Sequence, residues 1–187
     1  MIITNIEVII NKDLLDIDLL KNEYKHIHFF GLGFIQLKLD EYLRLHFYSS
    51  SLPCFMNEEE IHNHRYNFES CILKGTLKSE HYNIVEGNEY ILEQESCKPG
   101  IILKTEPKLC SIKHISSHVY NEGSKYKIEH DEFHKVEGIE CITQVVRGFY
   151  MKENADVVRK VDSEKICPFS KNIPESELWN IVEFMIS

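Results

Sequence analysis

The chain has 187 residues, 43% hydrophobic and 27% charged, with a formal net charge of −9. That length suits one domain with its own buried core, and the composition is that of an ordinary globular protein rather than a disordered or fibrous one. An acidic chain gains no counterion-release energy from nucleic acid, and no basic stripe reverses the balance locally, so no nucleic-acid partner is expected.

The start, MIITNIEVIINKDLLDIDLL, carries acids throughout and no basic region before its apolar residues. It does not read as a secretion signal. Residues 13 to 28 place Leu14, Leu15, Ile17, Leu19 and Leu20 as in a short amphipathic helix. Strand character begins in FFGLGFIQLKLD, and YLRLHFYS then alternates Leu43, Leu45 and Phe47 against Arg44, His46 and Tyr48. From there short strands follow one another: FESCIL, LKSEHYNIV, NEYILEQE, GIILKTE, LCSIKHISSHVY, SKYKIEH, FHKVEG and ECITQVVRGFY. Turn residues in EGN, KPG, NEG and VEG separate them. Only PESELWNIVEFMI returns to a helical period, with Pro174 at its start, acids in its first turn and a stripe of Leu178, Ile181, Val182 and Met185.

Closely spaced strands without intervening helices argue for an antiparallel sandwich or barrel. The expectation is a mainly β fold in a single domain, 1–187. An N-terminal arm spans 1–39, an antiparallel β-barrel of eight strands or more spans 40–162, and a C-terminal helix spans 174–186. No apolar run approaches the roughly 18 residues of a membrane span, so no membrane partner is expected. Cysteines at 54, 71, 97, 110, 141 and 167 form no C-x-x-C pair, which disfavours a zinc ribbon or a redox motif. They are expected as reduced, small hydrophobes in a cytoplasmic protein.

The chemistry concentrates in IHNHRYNFESCILKG, residues 61–75. On a strand, His62 and His64 point to one face, where two imidazoles can reach one cation. A second H-x-H, His26 and His28, lacks such company and reads as ordinary surface or core. Some seventy residues on, SKYKIEHDEFHKVEG supplies His134 at a turn-then-strand transition. Two histidines from one strand and one from a distant strand would leave coordination positions open for ligand or water.

HNHRYNFESCILKG resembles the first conserved motif of the cupin superfamily: H-x-H, then a glutamate, then a glycine. GSKYKIEHDEFHKVEG is similar to the second, a glycine-rich turn with a histidine entering the next strand. The form H-x-H-R-Y-x-F-x-S also resembles a group of bacterial and phage cupins. The resemblance implies an RmlC-like barrel (a double-stranded β-helix) with His62, His64 and His134 as ligands of one divalent transition metal. Fe(II) is favoured, with Zn, Ni, Mn or Cu as alternatives. Counted forward from His64, Glu69 takes the glutamate position as a fourth ligand; counted back from Gly75, Phe68 takes it and Glu69 faces away. His130, just before His134, is an additional candidate ligand or a turn residue.

Around this set Arg65 either clamps a substrate anion or forms a structural ion pair. Tyr66 follows it directly. Tyr82 and Tyr126 either line the barrel or pack in its core, and Arg147, among apolar residues, wants a ligand anion or an internal carboxylate. His46, His81, His114 and His118 are surface residues or outer supports. The resemblance implies a metal-dependent enzyme acting on a small molecule, dioxygenase-like first. A non-redox isomerase, lyase or hydrolase and a non-catalytic binding module are the alternatives. A homodimer follows by analogy with other cupins.

Overall fold

The computed structural model describes residues 15–54, 61–95, 103, 106–163 and 172–187. Helix α1 (Ile17–Glu23) opens on Asp16, whose carboxylate accepts from the Leu19 backbone N–H at 2.8 Å. The strands follow: β1 (His26–Phe30), β2 (Phe34–Lys38), β3 (Leu43–Tyr48), β4 (Ile61–His62), β5 (Tyr66–Glu95), β6 (Lys108–Asn121), β7 (Lys125–Ile128), β8 (Phe133–Tyr150) and β9 (Ala155–Lys160). Helix α2 (Glu175–Ile186) closes the chain. Every pairing is antiparallel, so the mainly β, antiparallel expectation with a helix toward each end holds.

The helical period stops earlier than residue 28. His26–Phe30 alternates buried Ile27 and Phe29 with His26, His28 and Phe30 and pairs with β2, so the sheet begins inside the span assigned to the arm. Three expected strands, FESCIL, LKSEHYNIV and NEYILEQE, fuse into β5, which runs through the EGN segment with a register shift between Val85 and Tyr90. Two more fuse into β8. Strand β9, in ADVVRK, has no counterpart in the expected set. GIILKTE falls almost wholly outside the described residues.

The pairings close on themselves: β4 joins β8 and β9, β9 joins the end of β5, and β5 joins β8. Strands β1, β2 and β3 extend this ring from β8. The sheet has two dissimilar faces there. Ile27, Phe29, Ile35, Leu37, Leu45 and Phe47 pack with Leu20, Leu178, Trp179, Val182 and Met185 into the main hydrophobic core under the helices. Each such side chain contributes about 1.5–3 kcal/mol by leaving water. The opposite face, from the same three strands, carries His26, His28, Phe30, Phe34, Gln36, Lys38, Arg44, His46 and Tyr48. Three of the four described cysteines, Cys71, Cys110 and Cys141, are buried thiols, and Cys54 is exposed.

One irregularity decides what else reaches that second face. Ile72 pairs with Thr143 and Leu77 with Gly138, five residues on along each strand. Ile72 and Leu77 nonetheless pack in one cluster with Phe34, Tyr48 and Cys141. An odd step would place them on opposite faces of a regular strand. Both strands therefore swap faces between these pairs, where Gly75 (φ +77°) lies against Glu140 (φ +40°). A Cβ on Gly75 would collide with the Glu140 carbonyl, and φ there is left-handed, so only glycine suits the site. Gly75→Ala is expected to destabilise by about 2–3 kcal/mol, lowering the thermal midpoint by roughly 5–10 °C in a circular-dichroism melt.

Candidate metal centre

The swap puts His134 on the polar face. Residues 138, 136 and 134 follow one another there, and His134 pairs with His62 on β4 and with His81 on β5. His134 is 2% exposed. His62 and His64 reach it from the other side, with ring centroids 5.1 and 5.0 Å away. His64 lies just past the end of β4, its N–H donating to the His130 carbonyl at 3.3 Å.

Asn63, between the two histidines, explains why they point together. It is buried, and its backbone N–H donates to the Asp156 carbonyl at 3.0 Å. Its side-chain amide donates to the Asp156 carboxylate at 2.9 Å and accepts from the Asp156 N–H at 2.7 Å. Lys152 pairs with the same carboxylate at 2.5 Å. Asn63 is thus anchored to β9 on one side, which commits its two neighbours to the other. The sequence signal was present as the middle residue of H-x-H; its partner lay on the strand that the sequence did not reveal.

One ligand atom from each of His62, His64 and His134 lies within 4.8 Å of the other two. The Nε2 atoms of His64 and His134 face each other at 2.8 Å. Two nitrogens held at right angles about 2.1 Å from one ion sit about 3 Å apart, so this spacing suits two cis ligands. Burial, followed by the neighbouring imidazoles, holds both rings well below the usual histidine pKa. They are therefore neutral, the form that donates to a metal. Nδ1 of His134 is buried with no hydrogen-bond partner among the described residues, and Nε2 is the nitrogen that faces His64.

The remaining expected residues divide sharply. Glu69 faces away: it opposes Val146 and Lys127, pairs with Lys127 at 3.3 Å, and has a side chain 46% exposed. The face swap lies beyond it in the chain and does not turn it inward. Phe68 takes the inward place, its ring 4.8 Å from that of His64. His130 stays outside the cluster, its N–H and Nδ1 both engaged with the Asn67 side-chain oxygen.

Tyr66 is on the site face, 6.0 Å from His64 by ring centroids. Tyr126 lies one ring further out, 6.3 Å from Phe68 and stacked on Tyr120 at 4.3 Å. Arg65 turns the other way, over Tyr150 and toward the Glu153 carbonyl. Tyr82 also leaves the site. It alternates with His81, donates to Glu80 at 2.9 Å and packs with Ile61 and Val158. Arg147 is 4% exposed and bonded by the Glu41 carbonyl (2.6 Å), the Gly148 carbonyl (3.0 Å) and the Glu41 carboxylate (3.2 Å). It ties the β2–β3 connection to β8 through an internal carboxylate.

Arg44, which the sequence placed only by strand alternation, and His46, read there as surface or outer support, belong to this face. His46 bonds Gln36 at 3.1 Å, and Arg44 donates to the Tyr66 hydroxyl at 2.7 Å. His46 and His64 keep some accessible surface, yet desolvation is the main cause of their lowered pKa. No protein-family model matches the chain, and no curated protein matches it in sequence. No helix among the described residues is long and apolar enough to cross a membrane.

Burial, with nearby cations and histidines adding to it, also lowers His28 and His46 to about 3. Unfolded, each titrates near 6.5. Between those values the unfolded chain binds more protons than the folded one, so folding stability falls as pH drops below about 6.5. His46→Leu is expected to flatten that fall by up to about 1.4 kcal/mol per pH unit, measured by urea unfolding of metal-free protein from pH 7 to 4. Parallel profiles for the two proteins would show that His46 takes up its proton in the folded state.

Proposed function

We propose that His62, His64 and His134 hold one divalent transition metal, Fe(II) in preference, and that the protein is a metal-dependent enzyme acting on a small molecule with dioxygenase-like chemistry. The observation that carries this reading is the convergence of three imidazoles from separated segments within 4.8 Å, with burial keeping those of His64 and His134 neutral. Closure of the strand pairings around them, and the two motifs that deliver them, support a cupin-type barrel as the scaffold.

When bound, the metal supplies Lewis acidity and, as iron, redox chemistry with open positions for substrate and dioxygen. The chain's own residues do the positioning. Asn63 and Asp156 fix the backbone between His62 and His64. Phe68 closes one side of the cluster with an apolar ring where a carboxylate ligand would otherwise stand. A three-histidine set without a carboxylate leaves the bound divalent ion with its full charge, which favours an anionic substrate group or oxygen-derived ligand in the open positions.

Elemental analysis of protein purified without added metal or chelator tests the reading. Near-stoichiometric iron is expected in the wild type. His64→Ala and His134→Ala should each lose most of it while their far-ultraviolet circular dichroism is unchanged. Full metal retention in both variants would overturn the site. Zinc in place of iron, with no oxygen consumption, would redirect the reading to a non-redox reaction at the same three residues.

A further inference from the structure

Arg44 is the least explained charge in the molecule. It stands on β3 on the polar face, in the row Lys38–Arg44–Val145–Ser70 that crosses four strands. One Nη1–H bond to the Tyr66 hydroxyl, and the Tyr66 ring at 5.2 Å from its guanidinium carbon, are its whole set of contacts among the described residues. No carboxylate pairs with it, and its Nε is buried with no acceptor. A buried donor left without an acceptor is costly, and the fold gains nothing from it. Arg147, also over the Tyr66 ring, shows how this fold treats a structural arginine: each of its three nitrogens donates a hydrogen bond, one of them to a carboxylate.

Among the described residues the strand neighbours supply no counter-charge. The polar neighbours on β1, β2 and β3 are His28, Gln36, Lys38 and His46, none of them an acid. Arg44 is also close enough to His64 to act on it electrostatically, and Tyr66 spans the gap, bonded to Arg44 and 6.0 Å from the His64 ring. A single cation without a partner matches a single negative charge.

We infer that Arg44, presented by Tyr66, is the anchor for the carboxylate of a small monoanionic substrate whose other end reaches the centre formed by His62, His64 and His134. Arg44 thus takes the part that the sequence offered to Arg65 or Arg147. The inference rests on the metal reading for the identity of the reacting end, but not for the carboxylate contact itself.

Two probes separate the parts. With cobalt(II) loaded at the histidines, thioglycolate offers a thiolate to the metal and a carboxylate to Arg44, whereas ethanethiol offers the thiolate alone. Titrations followed by the cobalt visible spectrum are expected to show thioglycolate binding wild type at least about tenfold more tightly than ethanethiol. In Arg44→Gln that preference should vanish, while cobalt content and ethanethiol affinity stay as in wild type. An undiminished preference in Arg44→Gln would overturn the assignment.

If no cobalt binds, the metal reading fails separately. Calorimetric titration of the metal-free protein with propionate then decides Arg44 on its own. Binding that Arg44→Gln abolishes upholds the anchor, and no binding, or binding that the variant retains, overturns it. Thermal melts of both proteins guard against misfolding. Removing an uncompensated cation should leave the midpoint unchanged or raised, whereas a structural arginine would lower it on removal.

Discussion

The centre depends on one change of face. Strands β5 and β8 run side by side with the same register before and after Gly75 and Glu140, yet their alternation inverts between Ile72/Thr143 and Leu77/Gly138. A strand has only two faces, so an inversion exchanges every later side chain between them. Without it, Phe133 and Lys135 would face the site and His134 would point away. Inverting both strands together keeps the ladder in register, so the backbone pairing survives while the chemistry is re-aimed. The left-handed backbone at Gly75 is the local cost, and glycine makes that cost small. The glycine that ends the first motif thus acts on the histidine of the second.

This constraint also marks what the sequence could and could not reveal. Strand alternation in β3 was readable because one face is wholly apolar: Leu43, Leu45 and Phe47 cannot face water. The terminal helix was readable from the stripe that meets Trp179's neighbours in the core. His62, His64 and His134 were readable from their chemistry and context. Glu69 was not, because forward and backward counts along β5 disagree by one residue, and only the pairing of Phe68 with Arg147 and of Glu69 with Val146 decides between them. The fusion of three expected strands into β5 was also hidden, since a register shift absorbs the EGN segment without breaking the ladder. Arg65 and Arg147 drew attention by position in the chain, whereas Arg44 sat in plain alternation and its lack of a partner exists only in three dimensions.

The polar face has an unusual charge balance. An acidic chain places many carboxylates on its exterior, yet the row from β1 to β3 beside the centre presents histidines, an amide and cations. Its buried histidines answer this by remaining neutral, driven by desolvation and by the cations themselves. Arg44 cannot do so, because guanidinium stays protonated at any pH a protein survives. A set of neutral imidazoles next to a fixed positive charge repels a cationic ligand and favours an anionic one.

Tyr66 joins these features. The guanidinium carbons of Arg44 (5.2 Å) and Arg147 (5.4 Å) both approach its ring, and its hydroxyl accepts from Arg44. Arg147 in turn is bound by Glu41 and Gly148 backbone oxygens and stacks on Tyr42 and Tyr150. The fixed arginine therefore stacks on the tyrosine, and the tyrosine links the unsatisfied Arg44 to the face that carries His64. A charge so placed adds nothing to the fold that a neutral side chain would not supply more cheaply. Its cost in stability is of the kind that binding sites carry until a ligand of opposite charge removes it.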